Sequence, residues 1–136
     1  MNIKIEKKSV IDELHRQTAL LALKNDKDEN IVYSEDDADR VEPLWKASLG
    51  ELLQLFVPYG TMEMSDGNAL FTLTLPSNRD TSYRDTLQQL ATSHVTMSLT
   101  ARWLDNVKPD SAMLLRSLNT STANAITEIL YRTKKP

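Results

Sequence analysis

Apolar residues recur along this chain at helical spacing in four stretches and alternate with polar ones in two. Between Ser34 and Phe56, the residues Val41, Leu44, Trp45, Ser48, Leu49, Leu52, Leu55 and Phe56 share one side of a helical period, which predicts an amphipathic helix. Ser34 and Asp37 make an S-x-x-D start signal, in which each side chain reaches the backbone amide of the other. Glu35, Asp36, Asp37 and Asp39 place negative charge where the helix dipole favours it. Pro43 falls too late for the first turn, so the helix either kinks there or starts as regular helix near Glu42 after a separate initial turn.

Asn2 to Lys8 alternates Ile3 and Ile5 with charged residues, the period of a short half-buried strand. Ser9 then stands as N-cap of a first helix carrying Val10, Leu14, Leu21 and Ala22, with Leu20 and Leu23 widening the stripe towards Lys24. The second helix ends at Pro58, Tyr59 and Gly60. The turn Asp66-Gly67-Asn68 introduces the strongest strand, Ala69 to Leu75, with Phe71, Leu73 and Leu75 on one face and Thr72 and Thr74 on the other. Its backbone groups need a partner, either Ile3 to Glu6 or a strand of a neighbouring subunit.

A third helix runs from about Ser82 to Asn106, where Leu87, Leu90, Ala91, His94, Val95, Met97, Ala101 and Leu104 cover so much of its circumference that it should be central. Pro109 stops it, Asp110 caps a fourth helix, and Leu114, Leu115, Leu118, Thr122, Ala125, Ile126, Ile129 and Leu130 form its seam. The basic tail from Arg132 to Pro136 is expected to fray. The fold these elements predict is mainly α: a bundle of about four helices with a small two-stranded β element, in one domain over residues 1–136. Residues 1–33 form an N-terminal strand and helix extension, 34–132 the helical core and 133–136 a tail.

A hydrophobic fraction of 40% and a charged fraction of 26% suit a chain that builds its own core. Without cysteine there are no disulfides, thiolate metal sites or cysteine nucleophile. The first residues lack the apolar run of a signal peptide, and no segment approaches the ~20 apolar residues of a membrane span, so a cytoplasmic protein with no membrane partner is expected. The net charge of −3 is uneven: residues 1–67 hold eight basic and fourteen acidic side chains, residues 68–136 eight and five. Halves of opposite sign favour docking against a complementary neighbour. An acidic chain with scattered arginines lacks the basic face that sequence-specific nucleic-acid binding demands.

Asp26-x-Asp28-x-Asn30, with Ser34 and Asp37, places oxygen side chains at EF-hand positions, but Ile31 stands where the sharp turn needs glycine and Asp37 where a longer glutamate is bidentate. A solvated acidic loop entering a capped helix accounts for the same residues. His94 has no carboxylate within a helical turn and reads as a buried, hydrogen-bonded histidine; His15 reads as surface. Two distant histidines make no metal site. The hydroxyls of Asn119-Thr120-Ser121-Thr122 lack an activating base, and Trp45 and Trp103 read as core anchors. No phosphate-cradling loop occurs, so neither catalytic residues nor a cofactor is expected.

The order of Ser34-Glu-Asp-Asp-Ala-Asp-Arg-Val, then Leu44-Trp45 and Leu49, an intervening strand, Leu87-x-x-Leu90-Ala91 and Ala101-Arg102-Trp103 resembles the tailed-phage head-to-tail connector family. The resemblance spans about Ser34 to Arg132 and rests on helix starts and apolar spacing. Met1 to Lys8 and Thr133 to Pro136 add nothing to it. It implies a non-enzymatic, prophage-encoded structural protein that forms a ring beneath the portal, extends the DNA channel and docks the tail, in the host cytoplasm during assembly and then in the virion. Portal and tail-completion proteins would be its partners. A ring closed by head-to-tail contacts would set Asp36 and Asp37 against Arg79, Arg84, Arg102 or Arg116 of the next subunit. The alternative is a cytoplasmic helical interaction module that forms a dimer.

Overall fold

The computed structural model describes residues 1–25 and 28–135. A strand, β1 (Asn2–Ile5), passes into α1 (Lys7–Lys24); a 3-10 turn at Glu35–Asp37 leads into α2 (Ala38–Phe56). A hairpin of β2 (Gly60–Ser65) and β3 (Asn68–Leu73) follows, then α3 (Arg84–Leu104) and α4 (Pro109–Leu130). The described residues are mainly helical, with one antiparallel sheet in the order β1-β3-β2.

The central strand is β3, the one with the clearest alternation. Ile3 pairs with Phe71 and Ile5 with Ala69, and all four side chains are fully buried. On the other edge Met62 pairs with Phe71, and Ser65 with Asn68 leaves only Asp66 and Gly67 in the turn. Both turn residues have positive φ, 52° and 82°, the conformation a two-residue hairpin needs to match strand twist and the reason glycine serves there.

α3 packs against α1, α2, α4 and β1. Leu87, Ala91, Val95, Leu99 and Leu104 are buried along it, as its wide apolar coverage predicted. Its many hydroxyls are accommodated because Thr92, Thr96 and Thr100 each donate to the carbonyl four residues back. α2 contributes Trp45, Leu49, Leu52 and Phe56, all fully buried, and Phe56 meets Phe71 edge-to-face at 5.3 Å. Trp103 donates from Nε1 to the Ile31 carbonyl at 2.8 Å and meets the Tyr33 ring edge-on at 5.5 Å.

The sheet has three strands where two were expected. The added strand, β2, lies at an edge where Met62 is only partly buried and Met64 is exposed, so its alternation is weak and the turn is the clearer sign of the hairpin. The strong strand pairs with β1 of its own chain. α1 starts at Lys7, two residues ahead of the expected Ser9 cap, because Asn68 at the start of β3 accepts a hydrogen bond from the Lys7 amide at 3.0 Å. Leu20 and Leu23 do not widen its buried stripe; they are exposed.

The Ser34–Asp37 box forms, but it closes a 3-10 turn. α2 then begins at Ala38, ahead of Glu42, and carries Pro43 on its exposed side. α3 is shorter than Ser82 to Asn106 at both ends, and α4 opens on Pro109 with Lys108, not Asp110, at its cap. Leu114 and Leu118 point outward, since α4 meets α3 along a narrow edge of Ala112, Asn119, Ile126 and Leu130. The tail is pinned as far as Lys134: the Asp80 amide donates to the Arg132 carbonyl at 3.0 Å and the Lys134 amide to Asn78 at 2.9 Å.

Candidate functional site

Several clefts among the described residues gather polar side chains, and two of them differ in charge. The first lies where α1 passes the segment that leads into α2. Ile11, Asp12 and His15 come from α1, and Tyr33, Ser34, Glu35 and Asp36 from the segment, around a cleft of about 690 Å³. The Tyr33 amide donates to the buried Thr18 hydroxyl at 3.0 Å, and His15 Nδ1 lies 2.7 Å from the Tyr33 carbonyl, so α1 holds the segment in place. Among the described residues Asp12, Glu35 and Asp36 form no ion pair. Burial, then the negative charges of Asp37 and Glu35, raise the Tyr33 pKa. A cleft of this kind suits a lysine or arginine side chain.

Basic residues collect at the far end of α3. Arg132 lies over the Tyr83 ring at 4.9 Å, Arg79 over Tyr131 at 5.4 Å, and Arg84 donates to the Asn2 carbonyl at 3.0 Å. The pinned tail adds the exposed Lys134 and Lys135. Tyr33 contacts Trp103 near the last residue of α3, whereas Tyr83 precedes its first. The acidic cleft and the basic group therefore occupy different parts of the molecule, the one beside α1 and the other at the start of α3.

The second concave region is a smaller cleft of about 170 Å³ bounded by α2, α3 and α4, lined by Glu51, His94, Ser98, Arg116, Asn119, Thr120 and Ala123. Its rim is ionic. Glu51 accepts from Ser98 Oγ at 2.6 Å and is ion-paired with Arg102, while Arg116 pairs with both carboxylate oxygens of Asp105. The Arg116 guanidinium holds the Asp105 carboxyl below the usual carboxylate range. The floor is neutral: His94 is 5% exposed and Asn119 7%, and Asn119 Nδ2 donates to the His94 carbonyl at 3.1 Å. Burial lowers the His94 pKa, against the opposing pull of Glu51, so the imidazole is neutral at pH 7.

This cleft is not wired for nucleophilic catalysis. Ser98 donates directly to Glu51, so no imidazole stands as base between hydroxyl and carboxylate. His94 Nδ1 and Asn119 Oδ1 are buried and have no partner among the described residues.

The candidate interface residues fall into separate groups. Arg79 and Arg84 belong to the basic end, where Arg84 is ion-paired with the adjacent Asp85, and Arg102 and Arg116 are paired within the chain on the rim of the small cleft. Asp36 lines the acidic cleft; Asp37 is occupied by the Ser34 amide and by Arg40. Of the EF-hand positions, Asp26 lies outside the described residues, and Asp28 accepts a hydrogen bond from the Asn30 amide at 3.0 Å. The described residues contain no cluster of three or more metal-ligating side chains.

Trp45 and Trp103 lie in the core. Sequence reasoning missed Glu51, which comes from a different helix than His94, and read Asn119 only as part of a polar run without an activating base. No described helix is long and apolar enough to cross a membrane. No family model, curated protein or solved structure matches the chain.

Proposed function

We propose that the chain is a non-enzymatic assembly subunit of the tailed-phage head-to-tail connector kind, which forms a ring between portal and tail. The observation that carries this reading is the polarity of the subunit. An acidic cleft with Asp12, Glu35 and Asp36 lies between α1 and the segment entering α2, and a basic group with Arg79, Arg84, Arg132, Lys134 and Lys135 gathers by the start of α3 and the tail. Contacts between unlike ends of identical subunits are heterologous, and they close into a ring where the rotation permits. The basic partner surface is the end that bears Arg79 and the tail, with Arg84 shared with Asp85; Arg102 and Arg116 stay with their own carboxylates.

In this reading the partners are further copies of the chain, a portal ring and tail-completion proteins. DNA passes through without sequence-specific contact. Assembly takes place in the host cytoplasm, and the ring ends in the virion.

A second reading, an interaction module that dimerises, is favoured by the outer flank of α4. Ser111, Leu115, Leu118, Thr122, Ala125 and Ile129 recur there at three- and four-residue steps, incompletely buried and without a charge, beside the exposed Leu114. A neutral flank repels no copy of itself and suits a two-fold contact.

Light scattering of the purified protein across a concentration series separates the two. A closed ring of many subunits supports the connector, and a stable dimer supports the module. Reversal of Glu35 and Asp36 to lysine, or of Lys134 and Lys135 to glutamate, should abolish the ring, and mixing the two variants should restore pairwise contact. A single-chain mass at every concentration, with no binding to a purified portal ring, would overturn both.

A further inference from the structure

The two edges of the sheet are finished differently. On β3, Leu73 exchanges both backbone hydrogen bonds with Met1, so alternation turns Phe71 and Ala69 towards β1 and leaves Leu70 and Thr72 to β2. The outward backbone groups of β1 are therefore those of Asn2 and Lys4, and α3 closes them. Gln88 accepts from the Lys4 amide at 2.9 Å and donates to the Lys4 carbonyl at 2.7 Å, as a neighbouring strand would, and Arg84 donates to the Asn2 carbonyl. On β2 the outward groups are those of Gly60, Met62 and Met64, and among the described residues none bonds to a residue outside the hairpin. β2 also lacks the lysine, proline or bulge that usually guards an edge.

We propose that β2 pairs antiparallel with β2 of a second copy about a two-fold axis at Met62, which joins the three strands of each copy into one sheet. Because β1 is closed, no copy adds to that edge, and pairing of β2 with itself stops at two chains. Charge sets the register. Glu63 is the one charged residue of β2 and lies on the face of the sheet opposite to Met62 and Phe71. An axis at Glu63 would set this carboxylate against its own copy, and an axis at Thr61 would bring Pro58, which has no N–H, opposite Met64. With the axis at Met62, Glu63 faces Thr61 of the second copy, and Met64 faces Gly60, which has no side chain to compete for space. The helix beside this edge is apolar as well. α3 packs on β1 and α2 on β2 and β3, so the side of α2 away from α3 borders the β2 edge. Glu51 marks the α3 side through Ser98 and Arg102; Leu53 lies on the opposite side, partly buried, with Val57, 50% exposed, one turn on. A copy paired at β2 covers both. This contact is separate from the charged ends of the ring and from the outer flank of α4.

The test is residue-resolved amide hydrogen exchange of the unaltered chain at low and high concentration, read beside its mass by light scattering. The Thr61 and Glu63 amides bond to β3 within each copy and should be protected throughout. Those of Met62 and Met64 should slow at least about tenfold as a dimer forms. The chain has no cysteine, so Met62→Cys offers a single crosslinking site: residues paired at the axis lie about 5.5 Å apart, within disulfide reach, and mild oxidation should link two chains. Ser65→Cys, further from the axis, should stay unlinked. Met62→Pro removes an outward N–H without touching the β3 ladder and should abolish the dimer. Met64→Lys, at a side chain 46% exposed, gives the same reading if the proline variant does not fold. Fast exchange at Met62 and Met64 at every concentration, protection that comes only with a foreign extended peptide, or a dimer that survives both edge variants would overturn the proposal. A ring or an α4 dimer leaves these two amides unprotected, so the failure of this contact is distinct from the failure of either.

Discussion

The sheet and the last helix carry apolar residues of equal promise and use them in opposite ways. In β1 and β3, Ile3, Ile5, Ala69 and Phe71 are fully buried and Leu73 is 2% exposed. In α4, Met113, Leu114 and Leu118 are 71%, 63% and 54% exposed. The difference lies in how many neighbours each element has. The central strand is flanked by a strand on either side and also meets α2, and α3 packs on β1, whereas α4 packs chiefly on α3. Apolar spacing marks a face that avoids water, and topology decides whether the same chain covers it.

Phe71 gives the sharpest test of the covered side. Its ring is fully buried against Phe56, so Phe71→Ala should remove about 3–5 kcal/mol, measured by urea unfolding. A loss below about 1 kcal/mol would mean that the sheet is no better covered than α4.

The glycines extend the comparison to smaller effects. A Cβ on Gly60 would lie 2.6 Å from Phe56 Cβ and 2.9 Å from Leu73 Cδ2, so Gly60→Ala should cost about 1–3 kcal/mol through overpacking. Gly50 lies inside α2 with nothing within 4 Å of the same position. Gly50→Ala should therefore stabilise, by up to about 1 kcal/mol, through helix propensity alone. Equal effects at the two sites would refute the close approach of the hairpin to α2.

Much of this architecture was legible because local chemistry and tertiary packing agree. The wide coverage of α3, the alternation of β3 and the Ser34–Asp37 box each appear where the residues place them. The failures have a common cause in contacts that cross between elements. Asn68 caps α1 from the hairpin, and hydrogen bonds to Asn78 and Asp80 pin a tail whose composition reads as loose. The small cleft was illegible for the same reason, since Glu51, His94 and Asn119 come from three helices and carry no shared spacing. The acidic cleft was half legible: Glu35 and Asp36 stand in one run, but Ile11, Asp12 and His15 arrive from α1.

His94 lies between the two regimes, buried like the sheet yet unpartnered at Nδ1. Burial lowers its pKa below the ordinary 6.5, so the unfolded chain takes up this proton before the folded one does. Its contribution is neutral above that range, and stability should fall as pH drops through 6.5. Urea midpoints at pH 8 and pH 5.5 should therefore differ less in His94→Leu than in the parent. An unchanged difference would assign the pH dependence to other groups.

The smallest effect on folding should come from the side of α4 that the chain leaves bare. Leu114→Gln with Leu118→Gln removes no buried contact and keeps good helix formers, so each change should stay within about 0.5 kcal/mol in unfolding of the monomer. The same pair should matter to association if the flank is a contact between copies, because exposed leucines there lose water only when a partner arrives. Light scattering then separates the roles. A species that dissociates in the double variant while its unfolding midpoint holds places the contact on α4, and one indifferent to these leucines but sensitive to Lys134→Glu places it on the charged ends.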